Sequence, residues 1–515
     1  MSADADMLCL DLIIIIIILS ITGPKYGYFP NGSKTILILK NKTHTALADT
    51  LFKHTGIKVV TDGERHLGAV VGTEAFREKY VTDKVAKWVS DLDQLSEIAK
   101  DEPHVAYTAF TKGICHRWGF LQRTVKDISH LFAPLEKAIF GKLLPTITGR
   151  SLTTLEQQIV QLPVRYGGLG ISNPRTSADQ EYENSTYVTE ALTEQIFNQD
   201  QSASVDLGRI MTRKKVLEQA QETEYLRQFK AICEHKDTSS RSKRLLELAR
   251  EKGAGAWLTA LPIQSLGYAF NEEDFRGSLS IRYGWRIKNM PMHCACGNEN
   301  SIDHSLSCHT GGYPIFRHNM MRDIIADILR EICKDVQIEP ELIPIASDFS
   351  KTSRNNKDKA RLDVSSVGLW SPRERNMMDI RVFHPNAPSY MNKTLKSLFK
   401  THEQQKKREY NSRVINKEKS TFTPMVFSTF GGMSKECLQA IRRAAGVIAE
   451  KRKEKYSDVM GHLSTMLRMC MLKSVLLSVR GSRGRSKGTS KPLSTVAFNL
   501  IPKSQTTTAQ DIDDY

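Results

Sequence analysis

Cys294, Cys296, His304 and Cys308 fall in one short polar segment with the pattern Cys-x-Cys-x7-His-x3-Cys. Three thiolates and an imidazole are a donor set suited to tetrahedral zinc. Such a site ties down a segment with little apolar content of its own, and Gly297 suits the sharp turn after the second thiolate. His293 and His309 adjoin the set and are alternatives for a ligand. A knuckle of this size either grips nucleic acid or braces a fold.

Further along, Asp363 lies in Arg361-Leu-Asp-Val and Asp379 in Met378-Asp-Ile-Arg-Val. Each segment reads as a strand, and the loop of residues 368–376 between them makes an antiparallel hairpin the natural connection. The alternation of a strand sets Asp379, Arg381 and Phe383 on one side and Ile380 and Val382 on the core side. Two carboxylates on neighbouring strands can hold Mg2+ or Mn2+, which would lower the pKa of a bound water and offset charge at a scissile phosphate. Nucleases of the PD-(D/E)xK type carry a lysine two residues after the second acid. Here that place holds Arg381, a permanent cation and a poor proton-transfer group. The lysine can come from the next helix instead: Glu403, Lys406, Lys407 and Tyr410 recur at spacings that share one helix face, leaving Lys406 and Lys407 as alternatives. Glu341 and Glu403 are weaker candidates for a further acid. The plain alternative is a set of edge-strand acids paired with Arg361 and Arg381 beside a solvated basic helix.

These residues sit in a chain of 515 residues with 73 Lys and Arg against 57 Asp and Glu, a formal net charge of +16. That surplus favours a polyanionic partner through counterion release. The length suits several domains. Nine cysteines, odd in number and mostly scattered, exclude a secreted disulfide framework. The apolar run at residues 12–19 is too short to span a bilayer and lacks the basic flank of a signal peptide, so no membrane association is expected.

Elements must position the candidate residues. Residues 26–29 and 34–39 read as strands around Pro30-Asn31-Gly32, and residues 57–60 and 66–71 as strands around Asp62-Gly63. Phe76, Tyr80, Val81, Val85 and Trp88 recur at helical spacing, and Pro103 opens a further helix. Residues 162–170 form a glycine-rich packed turn without phosphate-loop spacing. Residues 176–255 are polar and helical, with 238–243 as a linker. Helices are expected over 318–335, 392–418, 434–455 and 457–479, with a strand over 422–427.

Several stretches, in order, resemble non-LTR-type retroelement polyproteins. Gly23-Pro-Lys-Tyr-Gly-Tyr-Phe-Pro-Asn-Gly-Ser-Lys34 is similar to the stretch after a reverse transcriptase catalytic centre, and His66-Leu-Gly-Ala-Val-Val-Gly72 to its primer grip. Ala106-Tyr-Thr-Ala-Phe-Thr, Pro134-Leu-Glu136 and residues 162–174 resemble the helical thumb. The cysteine cluster, Arg317-His-Asn319, the two acid segments, residues 406–410 and Phe422-Thr-Pro424 resemble the zinc knuckle and restriction-like endonuclease at the C-terminus of such elements.

The resemblance implies an α+β multidomain chain. Its parts would be an atypical apolar extension over 1–22, the palm end and primer grip over 23–72, a thumb-like helical region over 73–195 and a helical linker region over 196–290. A knuckle over 291–317, a restriction-like α/β nuclease domain over 318–480 and a disordered basic tail over 481–515 would follow. It further implies structural Zn2+, nuclease Mg2+ or Mn2+, DNA and RNA as partners, and a nuclear location that follows from the DNA partner. Catalytic roles fall to Asp363, Asp379 and Lys406 or Lys407, and nucleic-acid contacts to Lys34, Arg317, His318, Arg381 and Tyr410, with His318 also open to a structural role. The Tyr/Phe-x-Asp-Asp site of the polymerase palm should lie upstream of Gly23 and does not appear, so no reverse transcriptase activity is expected. The alternative is a non-catalytic DNA- or RNA-binding remnant.

Overall fold

The computed structural model describes residues 18, 21–29, 31–40, 42–198, 207–343 and 361–481. Most of the apolar run at 12–19, Pro30 of the first expected turn, and the tail beyond 481 with Asp513-Asp514 lie outside the described residues. The protein is mixed α/β and mostly helical, at 63 %, and among the described residues no helix is long and apolar enough to cross a membrane. The chain divides into two compact units, one drawn from Met1–Leu95, Lys112–Leu144 and Ser172–Glu222, the other from Ser96–Thr111, Pro145–Ile171 and Thr223–Tyr515.

In the first unit β1 (Ile36–Ile38) pairs in parallel with β2 (Lys58–Val60), and β3 (Gly63–His66) pairs antiparallel with β4 (Ala69–Gly72). Both expected hairpin turns are corrected. The Asn31 side chain accepts the Ser33 backbone N–H at 3.1 Å and caps a 3-10 turn, Gly32–Lys34, a local bond with which Asn competes against a strand ladder. The second hairpin turns at Leu67-Gly68 rather than Asp62-Gly63. Leu67 and Gly68 have φ of +47° and +90°, the left-handed pair that a two-residue hairpin uses. Helix α1 (Glu74–Asp101), which belongs to this unit as far as Leu95, keeps the expected spacing: Val81, Val85, Trp88 and Leu92 are buried, and Trp88 meets Trp118 edge-on at 6.1 Å.

In the second unit α2 (Pro103–Lys112) has its proline in the first turn, as expected. The 162–170 turn packs tightly: a Cβ on Gly168 would lie 1.9 Å from the Leu162 carbonyl oxygen. The polar stretch at 238–243 is no linker, because Ser239 caps α3 (Ser240–Ala249) by accepting the Ser242 N–H. From α3, the buried Arg244 donates to Asn386 Oδ1 at 3.1 Å and to the carbonyls of Pro385 and Lys393 at 3.0 and 2.9 Å. Helices α4 (Glu272–Tyr283), α5 (Ile302–Ser307) and α6 (Tyr313–Ile332) follow.

A four-stranded sheet, ordered β5 (Lys334–Ile338), β6 (Val364–Val367), β7 (Arg375–Phe383), β8 (Thr421–Ser428), comes next. The first three strands are antiparallel and β7–β8 is parallel. A parallel pair needs a crossover, which α7 (Leu395–Asn416) supplies. Pro424, which has no N–H to give a ladder, sits on the edge strand β8. Helices α8 (Lys435–Arg452) and α9 (Tyr456–Arg480) close the fold. Residues along nearly all of α9 are buried, so it lies inside the unit rather than on its surface. The sheet is likewise covered on both sides. Phe383, expected on the side of β7 away from the core, is buried at 3 % exposure against Tyr390 and Phe399, and Asp379, four residues earlier on the same strand, is only 6 % exposed.

At the end of β8, Ser428 Oγ donates to Glu251 Oε2 at 3.2 Å. Burial pushes the Glu251 carboxyl up to about 7, against the opposing effects of the Ser428 bond and the charges of Arg468 and Arg244. The unfolded chain would ionise near the ordinary 4.5, so over that window the folded state holds a proton the unfolded state has released. Stability therefore falls as pH rises through the window. Comparing denaturant unfolding of the wild type with Glu251→Gln at pH 5 and pH 8 should show the wild type losing roughly 2–3 kcal/mol relative to the variant between the two. Parallel pH curves would contradict this.

Candidate functional site

The cysteine cluster is built on two turns and a short helix. The Cys294 N–H donates to the Asn298 carbonyl at 2.9 Å and the Gly297 N–H to the Cys294 carbonyl at 2.8 Å, with Gly297 at φ +91°. Ser301 caps α5, which carries His304, and Cys308 is the C-cap of the same helix. The four ligand atoms of Cys294, Cys296, His304 and Cys308 all lie within 4.8 Å of one another, the one such group of three or more among the described residues. Cys294 and Cys308 sulfurs are 3.8 Å apart, and Cys296 Sγ is 3.3 Å from His304 Nε2. Tetrahedral metal–sulfur bonds of about 2.3 Å put sulfurs about 3.8 Å apart, so the cluster can bind a metal ion. Burial would raise the Cys308 thiol, but hydrogen bonds with Thr310, Cys294 and Cys296 outweigh it and bring it down to about 7.

The knuckle is fastened to its surroundings through Asp303, next to the His304 ligand. Asp303 accepts from Arg241 Nε at 2.8 Å, and His384 Nε2, just beyond β7, lies 3.1 Å away. His384 Nδ1 lies 2.9 Å from Thr429 Oγ1, just beyond β8. Burial alone would raise the Asp303 carboxyl, but His384 and Arg241 hold it at about 2. Burial lowers His384 against the pull of Asp303, and its two ring nitrogens bridge Asp303 and Thr429. Ile302 and Leu306 are buried as well. The knuckle therefore braces the ends of two sheet strands.

The second constellation lies on the sheet. Asp363 sits one residue before β6, and its N–H donates to the Met378 carbonyl at 3.1 Å, which sets it beside Asp379 on β7. The Ile380 N–H donates to Asp363 Oδ2, and His318 Nε2, from α6, lies 2.8 Å from Asp363 Oδ1. On the other side α7 lays Lys406 Nζ 3.0 Å from Asp379 Oδ2 and 3.4 Å from Glu409 Oε2. The Lys406 ammonium is the group that meets Asp379 Oδ2. Burial pushes the Asp379 carboxyl up to about 6; Lys406 opposes the rise, and Asp363 and Glu409 add to it. The Tyr410 ring takes Lys406 at 5.3 Å on its face and packs on Phe422.

The two alternatives for the lysine separate here. Lys406 reaches Asp379, whereas Lys407 pairs with Glu436 of α8 at 2.6 Å, and Glu403 accepts the Glu436 N–H at 3.0 Å. Those two tie α7 to α8 and stand apart from the acids. Glu341 pairs with Arg361 at 2.7 Å, also away from the pair. Arg381 is exposed and makes no ion pair among the described residues, and Lys34 is exposed in the first unit. One expectation is corrected: Arg317 is 3 % exposed and donates to the Leu306 carbonyl at 2.9 Å and to Ser478 Oγ at 3.2 Å, so it braces the core and is not available to phosphate. Glu409 was not anticipated, although its i,i+3 spacing from Lys406 was readable.

No protein-family model and no curated protein matches the chain.

Because ligand binding to a folded site adds to folding free energy, the purified protein should carry one ion per chain. Chelation, or Cys296→Ser, should lower Tm. Hydrogen exchange should then rise at α5 and also around residues 384 and 429. Loosening confined to residues 293–308 would show the knuckle to be independent of the sheet.

Proposed function

We propose that the chain derives from the C-terminal part of a non-LTR-type retroelement polyprotein, with a metal-dependent DNA endonuclease site on its sheet and structural Zn2+ in its knuckle. The observation that carries this reading is Lys406 set 3.0 Å from Asp379, shielded from solvent and beside Asp363. Like charges on neighbouring strands destabilise a sheet, and a buried ion pair is weak support for stability. A structural role alone gives little reason for placing two acids there.

In this reading Asp363 and Asp379 hold Mg2+ or Mn2+. The ion supplies an activated water and charge at the phosphate. Lys406 serves the scissile phosphate as a point charge, with Tyr410 packed under it. Arg381, together with Lys396, Lys400 and Arg408 exposed on α7, offers contacts to the DNA backbone, which position a substrate without reading its sequence. RNA binding through the first unit, with Lys34 among its contacts, and a nuclear location complete the proposal.

The alternative is a non-catalytic DNA- or RNA-binding remnant. It is favoured by one feature: only the cysteine cluster gathers three ligand atoms compactly among the described residues.

Supercoiled-plasmid nicking with Mg2+ or Mn2+ tests the choice. Wild-type protein and Lys407→Met should nick. Lys406→Met and the Asp363→Ala/Asp379→Ala double variant should lose about 100-fold or more of the rate, while salt-sensitive DNA binding persists in all four. Absence of nicking by folded, zinc-loaded wild type, with binding retained, would favour the remnant.

A further inference from the structure

We infer that His318 is a metal ligand of the sheet site and gives that site a preference for Mn2+ over Mg2+; this rests on the endonuclease reading. Asp363 Oδ2 is held by the Ile380 N–H inside the sheet, and Oδ1 faces His318 Nε2 at 2.8 Å, so an ion would enter between Oδ1 and the imidazole. Two adjacent ligands of an octahedral ion with bonds of about 2.1 Å are about 3 Å apart. The observed separation matches that spacing, and ligation would move the proton from Nε2 to Nδ1 and turn the ring toward the ion.

The His318 side chain is 30 % exposed and that of Asp363 16 %, so the pair is open to an entering ion. The third ligand is Asp379, 6 % exposed and set beside Asp363 on the neighbouring strand. These groups are less tightly gathered than the cysteine cluster, and Lys406 holds Asp379 Oδ2 at 3.0 Å. Ligation therefore requires Asp379 to exchange Lys406 for the ion, which frees the ammonium for phosphate. Mg2+ takes oxygen ligands almost exclusively and keeps its waters, whereas imidazole favours the first-row transition ions. A nitrogen at this position accordingly disfavours Mg2+ relative to Mn2+.

The test is Mn2+ binding to the zinc-loaded full chain, followed by pulsed electron paramagnetic resonance and by titration against Mg2+, in the wild type, His318→Gln and Asp363→Asn. Glutamine can still donate to Asp363, so it preserves the hydrogen bond while removing the imidazole. Directly bound nitrogen should be visible in the wild type and absent in His318→Gln. The Gln variant should lose about tenfold in Mn2+ affinity with Mg2+ affinity unchanged. Mn2+ bound without nitrogen coupling, and an unaltered Mn2+/Mg2+ ratio in His318→Gln, would overturn the inference and reduce His318 to a brace for Asp363. Plasmid nicking would survive that result. Nitrogen-coupled Mn2+ in a protein that nicks nothing would instead sustain the ligand and sink the endonuclease. Mn2+ binding that Asp363→Asn leaves untouched would remove both.

Discussion

Two carboxylates lie on adjacent strands, and for Asp379, almost sealed from water, burial and the neighbouring Asp363 charge disfavour ionisation. Much of the second unit around the sheet answers that constraint. Asp363 is satisfied by a backbone N–H from β7 and by the imidazole of His318 from α6. Asp379 is answered by an ammonium from α7. The parallel β7–β8 pair obliges the chain to cross over the sheet between those strands. The crossover helix is what brings Lys406 above the second acid. The same helix turns Lys407 and Glu403 toward α8, so one face serves the acids and the other holds the helix in place.

The knuckle belongs to this scaffold and is not an appended finger. Asp303 ties the short helix carrying the His304 ligand to Arg241 on α3 and to His384 at the end of β7. His384 passes the connection to Thr429 beyond β8. Arg244 secures the neighbouring loop through Asn386, Pro385 and Lys393. A metal in the cluster would thus be felt at the strand ends, because the links run inward from the part-buried Arg241–Asp303 pair to the buried His384–Thr429 contact, where a lost bond leaves a polar group unsatisfied.

Where local pattern governs, the sequence was a sound guide. The spacing of Val81, Val85 and Trp88 made a helix, Pro103 opened the next one, and the strands bearing Asp363 and Asp379 formed their hairpin. Turns were harder to read. Asn31-Gly32 and Asp62-Gly63 both carry turn chemistry, yet an Asn side chain can satisfy a local N–H instead of closing a hairpin. The Leu67-Gly68 turn gave only half of the usual signal. Arg317 was misread because a motif of charged residues says nothing about burial.

The residue types and short spacings of the chain were enough to locate the cysteine cluster, the acid-bearing hairpin and the lysine-bearing helix, while the fold chose His304 over His293 and His309 as the imidazole of the cluster. Ligands a few residues apart are brought together by local turns, and a hairpin by its own loop. Only the tertiary structure decided that Lys406 and not Lys407 meets Asp379, that His318 lies on Asp363, and that Glu409 joins the site. Adjacent residues on a helix point about 100° apart, and which of them faces a strand depends on how the helix packs across the sheet, a long-range outcome that no local spacing encodes.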